Sequence, residues 1–433
     1  MGYIASDDAT YLTGAYGLLD QFPYLGGHGT FRFIITAPIA LSISVFGENE
    51  IALALPTVLY AIGLVILVTR FTKNLFGACS AFIGAVLLMT SPLLVVNSSI
   101  ASVDVIEAFF VYASVIFFLK AVYIKRDGSK VFTINLILAG IAAGLAFLTR
   151  ETSVFLLVFY GILFLFGIGI KRLHHFIMAS GFFLIWGMES LYFWVFSGDP
   201  FYRFTRSVNH DSTIDRTVDV AGNFIIHPTI DPLLVLLFNQ EFGILFWVVA
   251  GFGIWWITKS KRSYQGLEPF GQLDQDGQKD LDSKWFFEAT ETSIKWQGFT
   301  FKLIAGLGLV WFLCVAGVGN MLPLNPRYFL ITNIAVIVLV SCCVSVFLRE
   351  KGRRQKIAVS LFALIIAGNV ASLWLENKNF LFAEKALARV SLTTNQTIVT
   401  DTETLHRVKF LLKWNGTSDR VKAGDHLHTC ELY

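Results

Sequence analysis

Charge is scarce in this chain. Asp, Glu, Lys and Arg together make up 15% of its 433 residues, which excludes an ordinary water-soluble fold over most of its length. The 34 basic and 31 acidic residues leave a net charge of only +3, so the overall balance offers nothing to a nucleic acid or an acidic partner. Cysteine is nearly missing from polar sequence: Cys79, Cys314, Cys342 and Cys343 lie in apolar runs, and only Cys430 lies outside one. No CxxC or Cys/His spacing occurs, which excludes a disulfide framework and a zinc site of the usual kind. The N-terminus has neither a charged nor an apolar leader region, so no signal peptide is expected. An internal repeat of the sort that builds the inverted halves of a secondary transporter is also absent.

Apolar sequence is what the chain has in quantity. Hydrophobic residues make up 55% and aromatic residues 15%, and the mean hydropathy is +0.63. These numbers predict an all-α polytopic membrane protein. A bilayer core of about 30 Å takes roughly 20 residues per helix, and ten stretches qualify: residues 50–69, 75–96, 104–123, 131–149, 151–170, 173–196, 234–257, 300–319, 328–348 and 355–375. Residues 1–30 are polar, end in Leu25-Gly26-Gly27-His28-Gly29-Thr30, and read as a loop with one short helix over 9–19. Residues 31–46 are apolar but short, contain Pro38 and stop at Gly47, the pattern of a re-entrant or interfacial segment.

Basic residues alternate strictly between the connections. Arg70 with Lys73, Lys120 with Lys125, Arg126 and Lys130, Lys171 with Arg172, Lys259 with Lys261 and Arg262, and Arg349 with Lys351, Arg353, Arg354 and Lys356 mark five cytoplasmic loops. The opposite, outer face then carries residues 1–30, the 97–103 loop, Arg150-Glu151, the 197–233 and 320–327 loops, and the tail after 376. The polar stretch 263–298, with Asp274, Asp276, Asp280 and Asp282, falls on the cytoplasmic side and reads as a solvated linker. In the tail, Ile398-Val399-Thr400-Asp401 predicts a strand and Thr402–Trp414 an amphipathic helix, a small outward-facing α/β cap. The chain thus divides into an outer loop over 1–30, a membrane domain over 31–375 with its insert 263–298, and a soluble tail over 376–433. The glycosylation triplets Asn97-Ser98-Ser99, Asn395-Gln396-Thr397 and Asn415-Gly416-Thr417 agree with this topology.

Ionisable residues collect on that outer face. Asp7 and Asp8 form an adjacent pair in the first loop; such a pair supplies a general base with a neighbour that raises its proton affinity, or else caps the helix that starts near Ala9. Asp104 opens the third span with Glu107 one turn later, either as a functional carboxylate at membrane depth or as an N-cap. Arg150-Glu151 separates two apolar runs with almost no loop, and Arg327-Tyr328 follows Pro323-Leu324-Asn325-Pro326. A guanidinium fork fits phosphate oxygens; the bland alternative is snorkelling to lipid headgroups. His28 and Arg32 flank the short apolar segment and line the same pocket in this reading; the bland alternative for the lone His28 is a structural role. No residue pattern requires a cofactor, and the sequence leaves a divalent metal open.

In this order the residues resemble the membrane-embedded GT-C glycosyltransferases of the protein O-mannosyltransferase and aminoarabinose-transferase type, over roughly residues 5–375. Asp7-Asp8-Ala9-Thr10-Tyr11 is similar to the family's acidic pair, and Phe31 to Pro56 to its juxtamembrane helix. Thr90-Ser91-Pro92 with Ser102-Val103-Asp104, Gly144 to Arg150, Gly198-Asp199-Pro200-Phe201-Tyr202-Arg203 and Pro326-Arg327-Tyr328 resemble its further motifs. The resemblance implies a GT-C fold and transfer of a sugar from a polyprenyl-phosphate carrier to a protein, lipid or glycan acceptor, with inversion. The site would lie on the extracytoplasmic face of the cell membrane. Asp7 would be the base, Asp8 or Asp104 would assist, and Arg150, Arg327 and Tyr328 would hold the lipid phosphate. His28, Arg32, Glu151 and Arg203 would line the substrate. Two departures stand out. The family carries a transmembrane helix ahead of its acidic loop where six residues precede Asp7 here, so a truncated start or an inactive copy is expected. Asp8 also replaces the usual Glu. The rival readings are a transporter or flippase, which needs charge at the bilayer midplane where only Glu189 and Glu107 stand, and a non-catalytic scaffold.

Overall fold

The computed structural model describes residues 2–124, 129–211, 230–251, 292–318, 324–349, 352–376 and 381–424. Its helices are α1 (Asp7–Asp20), α2 (Phe33–Phe46), α3 (Glu50–Phe76), α4 (Ala78–Thr90), α5 (Pro92–Ser98), α6 (Val103–Ile124), α7 (Lys130–Thr149) and α8 (Val154–Phe166). Then follow α9 (Arg172–Ser197), α10 (Tyr202–Asp211), α11 (Asp231–Phe238), α12 (Thr292–Gly317), α13 (Leu330–Arg349), α14 (Arg353–Glu376), α15 (Phe382–Thr393) and α16 (Thr402–Trp414). Two short strands, β1 (Ile398–Thr400) and β2 (Val421–Ala423), pair in parallel with Ile398 opposite Val421.

Among the described residues, seven helices are long and apolar enough to cross a membrane: α3, α6, α7, α9, Trp296–Gly317 of α12, Pro326–Arg349 including α13, and Arg353–Leu375 of α14. The chain is therefore an all-helical multi-pass membrane protein with a small sheet in its tail. The remaining expected spans take other forms. Residues 75–96 become α4 and α5, bent by 58° at Ser91. Pro92 removes a backbone donor there, and side chains of neighbouring helices meet the polar groups at the break. Asn333 donates to the Ser91 hydroxyl at 3.0 Å and Asn369 to the Thr90 hydroxyl at 3.3 Å, as a break within an apolar medium requires. Residues 151–170 give a single 3-10 turn and the 13-residue α8, which ends on Gly167 at φ +65°. The expected span 234–257 starts earlier, with α11, and is interrupted by a 3-10 turn at Gln240–Phe242; residues 252–257 lie outside the described residues. Helix α12 begins at Thr292, inside the stretch read as an insert. The rest of that insert with its four aspartates, Lys125 and Arg126, Lys259 to Arg262, Lys351 and Cys430 also lie outside.

Two compact units emerge. The first joins residues 1–58, 98–102 and 377–433; the second comprises 59–97 and 103–376. The described part of the tail groups with the N-terminal segment. In the second unit, α6 and α7 lie side by side over a continuous apolar core that includes Val105, Val115, Leu119, Leu136, Ala139 and Ile334. Helices α7 and α9 cross at three glycines. A side chain on Gly140 would run into the Met178 carbonyl, and one on Gly181 into the Ile137 carbonyl, with Gly144 against Ile185. Small residues let membrane helices approach this closely. That crossing fixes the end of α7, where Arg150 begins the polar turn described below.

Candidate active site

The acidic pair lies in the first unit. Helix α1 starts at Asp7, and the turn that leads into it wraps around the Asp8 carboxylate. Asp8 Oδ2 accepts from the Ile4 amide at 2.6 Å, and Oδ1 accepts from the amides of Ser6 at 2.6 Å and Ala9 at 3.0 Å. These bonds hold Ala5 at φ +55°, a conformation costly for a residue with a side chain. Asp8 is thus 2% exposed and committed to backbone, close to the capping alternative, whereas Asp7 is half-buried at the head of α1. Arg32 is buried, precedes the first turn of α2 and donates to the Tyr11 hydroxyl at 3.3 Å; His28 meets Phe31 edge-on.

Burial pushes the Asp8 carboxyl above its usual range, against the pull of its three backbone donors. A carboxyl whose folded pKa is raised contributes most to stability below its unfolded pKa, and that contribution fades as pH rises through the folded value. The acidic turn is therefore expected to open more readily at pH 8 than at pH 5. Hydrogen exchange at Ile4, Ser6 and Ala9, corrected for its intrinsic pH dependence, measures this; faster corrected exchange at pH 5 would reverse the sign.

The second unit brings Asp104, Arg150, Arg327 and Tyr328 together. Asp104 sits in the first turn of α6, Arg150 caps the C-terminus of α7 in an extended conformation, and Arg327 lies in a 3-10 turn ahead of α13. Arg150 Nη1 pairs with Asp104 Oδ1, while Arg327 Nε stands 3.8 Å from Oδ2. One carboxylate, 1% exposed, is thus shared between two guanidinium groups, of which Arg327 is the more open at 26%. The Arg150 guanidinium lies over the Tyr328 ring, 4.2 Å from its centre, a cation–π contact that orients the fork. Tyr328 is held in turn by the buried Trp311, whose indole donates to its carbonyl at 2.9 Å. Glu107, one turn along α6, accepts from the hydroxyls of Thr152 at 2.8 Å and Ser153 at 2.7 Å, which pins the turn after Arg150. Thr152, Ser153 and Trp311 escape a sequence reading because hydroxyls and a tryptophan in apolar runs carry no motif; only the direct succession Arg150 to Ser153 marks the spot.

Arg203 and Glu151, expected to line the substrate, are joined in an ion pair. Arg203 is 2% exposed, and its nitrogens are engaged within the protein: Nε with Glu151 at 3.0 Å, Nη1 with Glu189 at 3.0 Å and the Leu148 carbonyl at 2.9 Å, and Nη2 with the Phe147 carbonyl at 3.1 Å. This fork ties the end of α7 to α9 and explains the one carboxylate inside α9. Arg203→Met is expected to destabilise the protein by about 3–5 kcal/mol, because it leaves the Glu189 charge buried without its partner. A lower thermal unfolding midpoint in detergent reads this, and adding Glu189→Gln should restore part of it. Among the described residues, no three His, Cys, Asp or Glu side chains are grouped as metal ligands would be.

Residues 33–192 match the family described as dolichyl-phosphate-mannose-protein mannosyltransferase. The structure of ArnT from Cupriavidus metallidurans bound to undecaprenyl phosphate is similar with a TM-score of 0.58 at 12% identity, covering 95% of this chain and 81% of that one. The chain thus shares its fold with a GT-C glycosyltransferase. The GT-C protein AglB from Archaeoglobus fulgidus, in complex with an inhibitory peptide and a dolichol-phosphate, is similar with a TM-score of 0.53 at 13% identity, over 98% of this chain and 61% of its own. No curated protein matches the sequence. At these identities the likeness to the solved structures is one of fold.

Proposed function

We propose that this GT-C protein transfers a sugar from a polyprenyl-phosphate carrier to a hydroxyl or amine of a protein, lipid or glycan acceptor on the extracytoplasmic face of the cell membrane. The observation that carries this reading is the Asp104 carboxylate shared by Arg150 and Arg327 beside Tyr328. Transfer breaks the bond between the anomeric carbon and the carrier phosphate as the acceptor atom forms its own bond from the opposite side, which inverts that centre. The acceptor proton passes to Asp7. The phosphate leaves as a monoester with one more negative charge than it had in the donor, and Arg327 and Arg150 meet that charge as it develops, where oriented donors lower a barrier most. Asp104 keeps the two forks in place, and Asp8 fixes the turn that carries the base.

Radiolabelled polyprenyl-phosphate sugars incubated with the purified protein in detergent test the proposal through consumption of the carrier-linked sugar. Consumption that depends on Asp7 supports a transferase. Carrier that binds yet is never consumed with any of the sugars, or carrier that moves between leaflets of a vesicle unreacted, favours the flippase reading instead.

A further inference from the structure

Nothing in the proposed chemistry uses the C-terminal helix α16, yet it packs onto both flanks of the acidic turn within the first unit. Ahead of the turn, Tyr3 is 1% exposed and meets Phe410 and Trp414 edge-on, each with ring centres 5.8 Å apart. Behind it, on α1, Tyr16 stacks on Phe410 at 5.9 Å with planes 14° apart, and accepts a hydrogen bond from the Trp414 indole at 2.9 Å. Lys413 sits over the same Tyr16 ring, 3.2 Å from its centre, and pairs with Glu48 at 3.4 Å. One residue pair on a single helix face, Phe410 and Trp414, therefore grips the chain on both sides of Asp7 and Asp8. Two further ion pairs hold the tail to this unit and to itself, Lys385 with Glu50 and Arg407 with Glu384.

The electrostatics agree with this placement. Burial pushes the Tyr3 phenol up, the Asp8 carboxylate adds to that shift, and Arg407 of α16 opposes it. Tyr16 is pushed up to about 12, chiefly by burial. Both phenols therefore stay neutral at neutral pH and serve as packing surfaces with a polar tip. Such a brace has a physical purpose here. The turn stores backbone strain at Ala5 and buries a carboxylate at Asp8, and a strained conformation persists only where its surroundings over-determine it.

We propose that α16 is a clasp on the acidic turn, and that Phe410 and Trp414 are positioning residues that hold Asp7 in its working orientation. The part that concerns Asp7 rests on the transferase reading above; the clasp itself does not.

Hydrogen exchange followed by mass spectrometry on the full chain in detergent separates the two. Phe410→Ala is expected to speed exchange of the Ile4, Ser6 and Ala9 amides about tenfold or more, since it removes two aromatic contacts, with α6 and α7 unchanged. Trp414→Phe keeps the ring and loses the indole donor, so it should give a smaller rise; it also serves where Phe410→Ala does not fold. Transfer in both variants should show a lower kcat with carrier Kd unchanged. Unaltered exchange at the turn in a folded Phe410→Ala protein overturns the clasp. Faster exchange with full kcat overturns the positioning role, whereas faster exchange in a protein that never consumes carrier upholds the clasp and removes the transferase reading.

Discussion

Asp7→Asn is expected to lower sugar transfer by roughly 10²–10⁴-fold, the contribution typical of a positioned general base, while carrier affinity stays within a factor of about two. The amide has the shape of the carboxylate but cannot take a proton from the acceptor. Of the two adjacent carboxylates, Asp7 is the one proposed as the base. Asp8 is 2% exposed and both its oxygens accept backbone amides, so it is occupied in shaping the turn. Asp8→Asn should therefore behave differently: an amide cannot accept on both sides, the turn loosens, and kcat and stability fall together. Single-turnover kinetics with a bound-carrier assay distinguishes these patterns. Full transfer by Asp7→Asn would remove the base from this position.

Much of the architecture was legible in the sequence because a bilayer imposes its own length on apolar runs. The expected spans 104–123, 131–149 and 173–196 correspond to α6, α7 and α9. The tail was legible for a local reason. The strand pattern at Ile398–Thr400 and the amphipathic pattern of Thr402–Trp414 both act within a few residues; Asp401, read as the end of the strand, caps that helix by accepting from the Thr404 amide at 2.8 Å. What the sequence withheld is long-range. Nothing local pairs β1 with β2, and nothing near Ser91 announces that Asn333 would meet it. The break at Ser91 was missed although Pro92 stands inside the run 75–96, because an apolar run of that length reads as one straight span.

The site divides along the same line. Residue types at helix ends pointed to Asp104, Arg150, Arg327 and Tyr328, and these four side chains do converge. Identity alone did not separate Arg203 from them, since it too follows a family-like motif at a helix end. Partners separate them: Arg203 is enclosed by two carboxylates and two carbonyls, whereas Arg327 keeps a quarter of its side chain open. A buried guanidinium surrounded by acceptors is a structural lock, and an open one beside a shared carboxylate can exchange partners.

That difference sets the largest expected effect on binding. Arg327→Ala should weaken carrier binding by about 2–4 kcal/mol, or roughly 30- to 1000-fold, since it removes a charged donor from the carrier phosphate. The loss should fall on Kd more than on stability, because Arg327 stands 3.8 Å from Asp104 and is not its principal partner. Arg150→Ala makes the contrast. It strips the closer partner from a carboxylate that is 1% exposed, so the protein should lose stability along with affinity. Arg327→Lys should recover only part of the binding, because an ammonium offers a point charge where a planar fork makes two parallel bonds. Equilibrium binding of undecaprenyl phosphate or dolichyl phosphate in detergent, measured beside the unfolding midpoint, reads both axes at once. If Arg327→Ala binds the carrier as tightly as the wild type, the phosphate is held elsewhere, and the pairing of Asp104 with Arg150 becomes a structural lock of the same kind as Arg203 with Glu189.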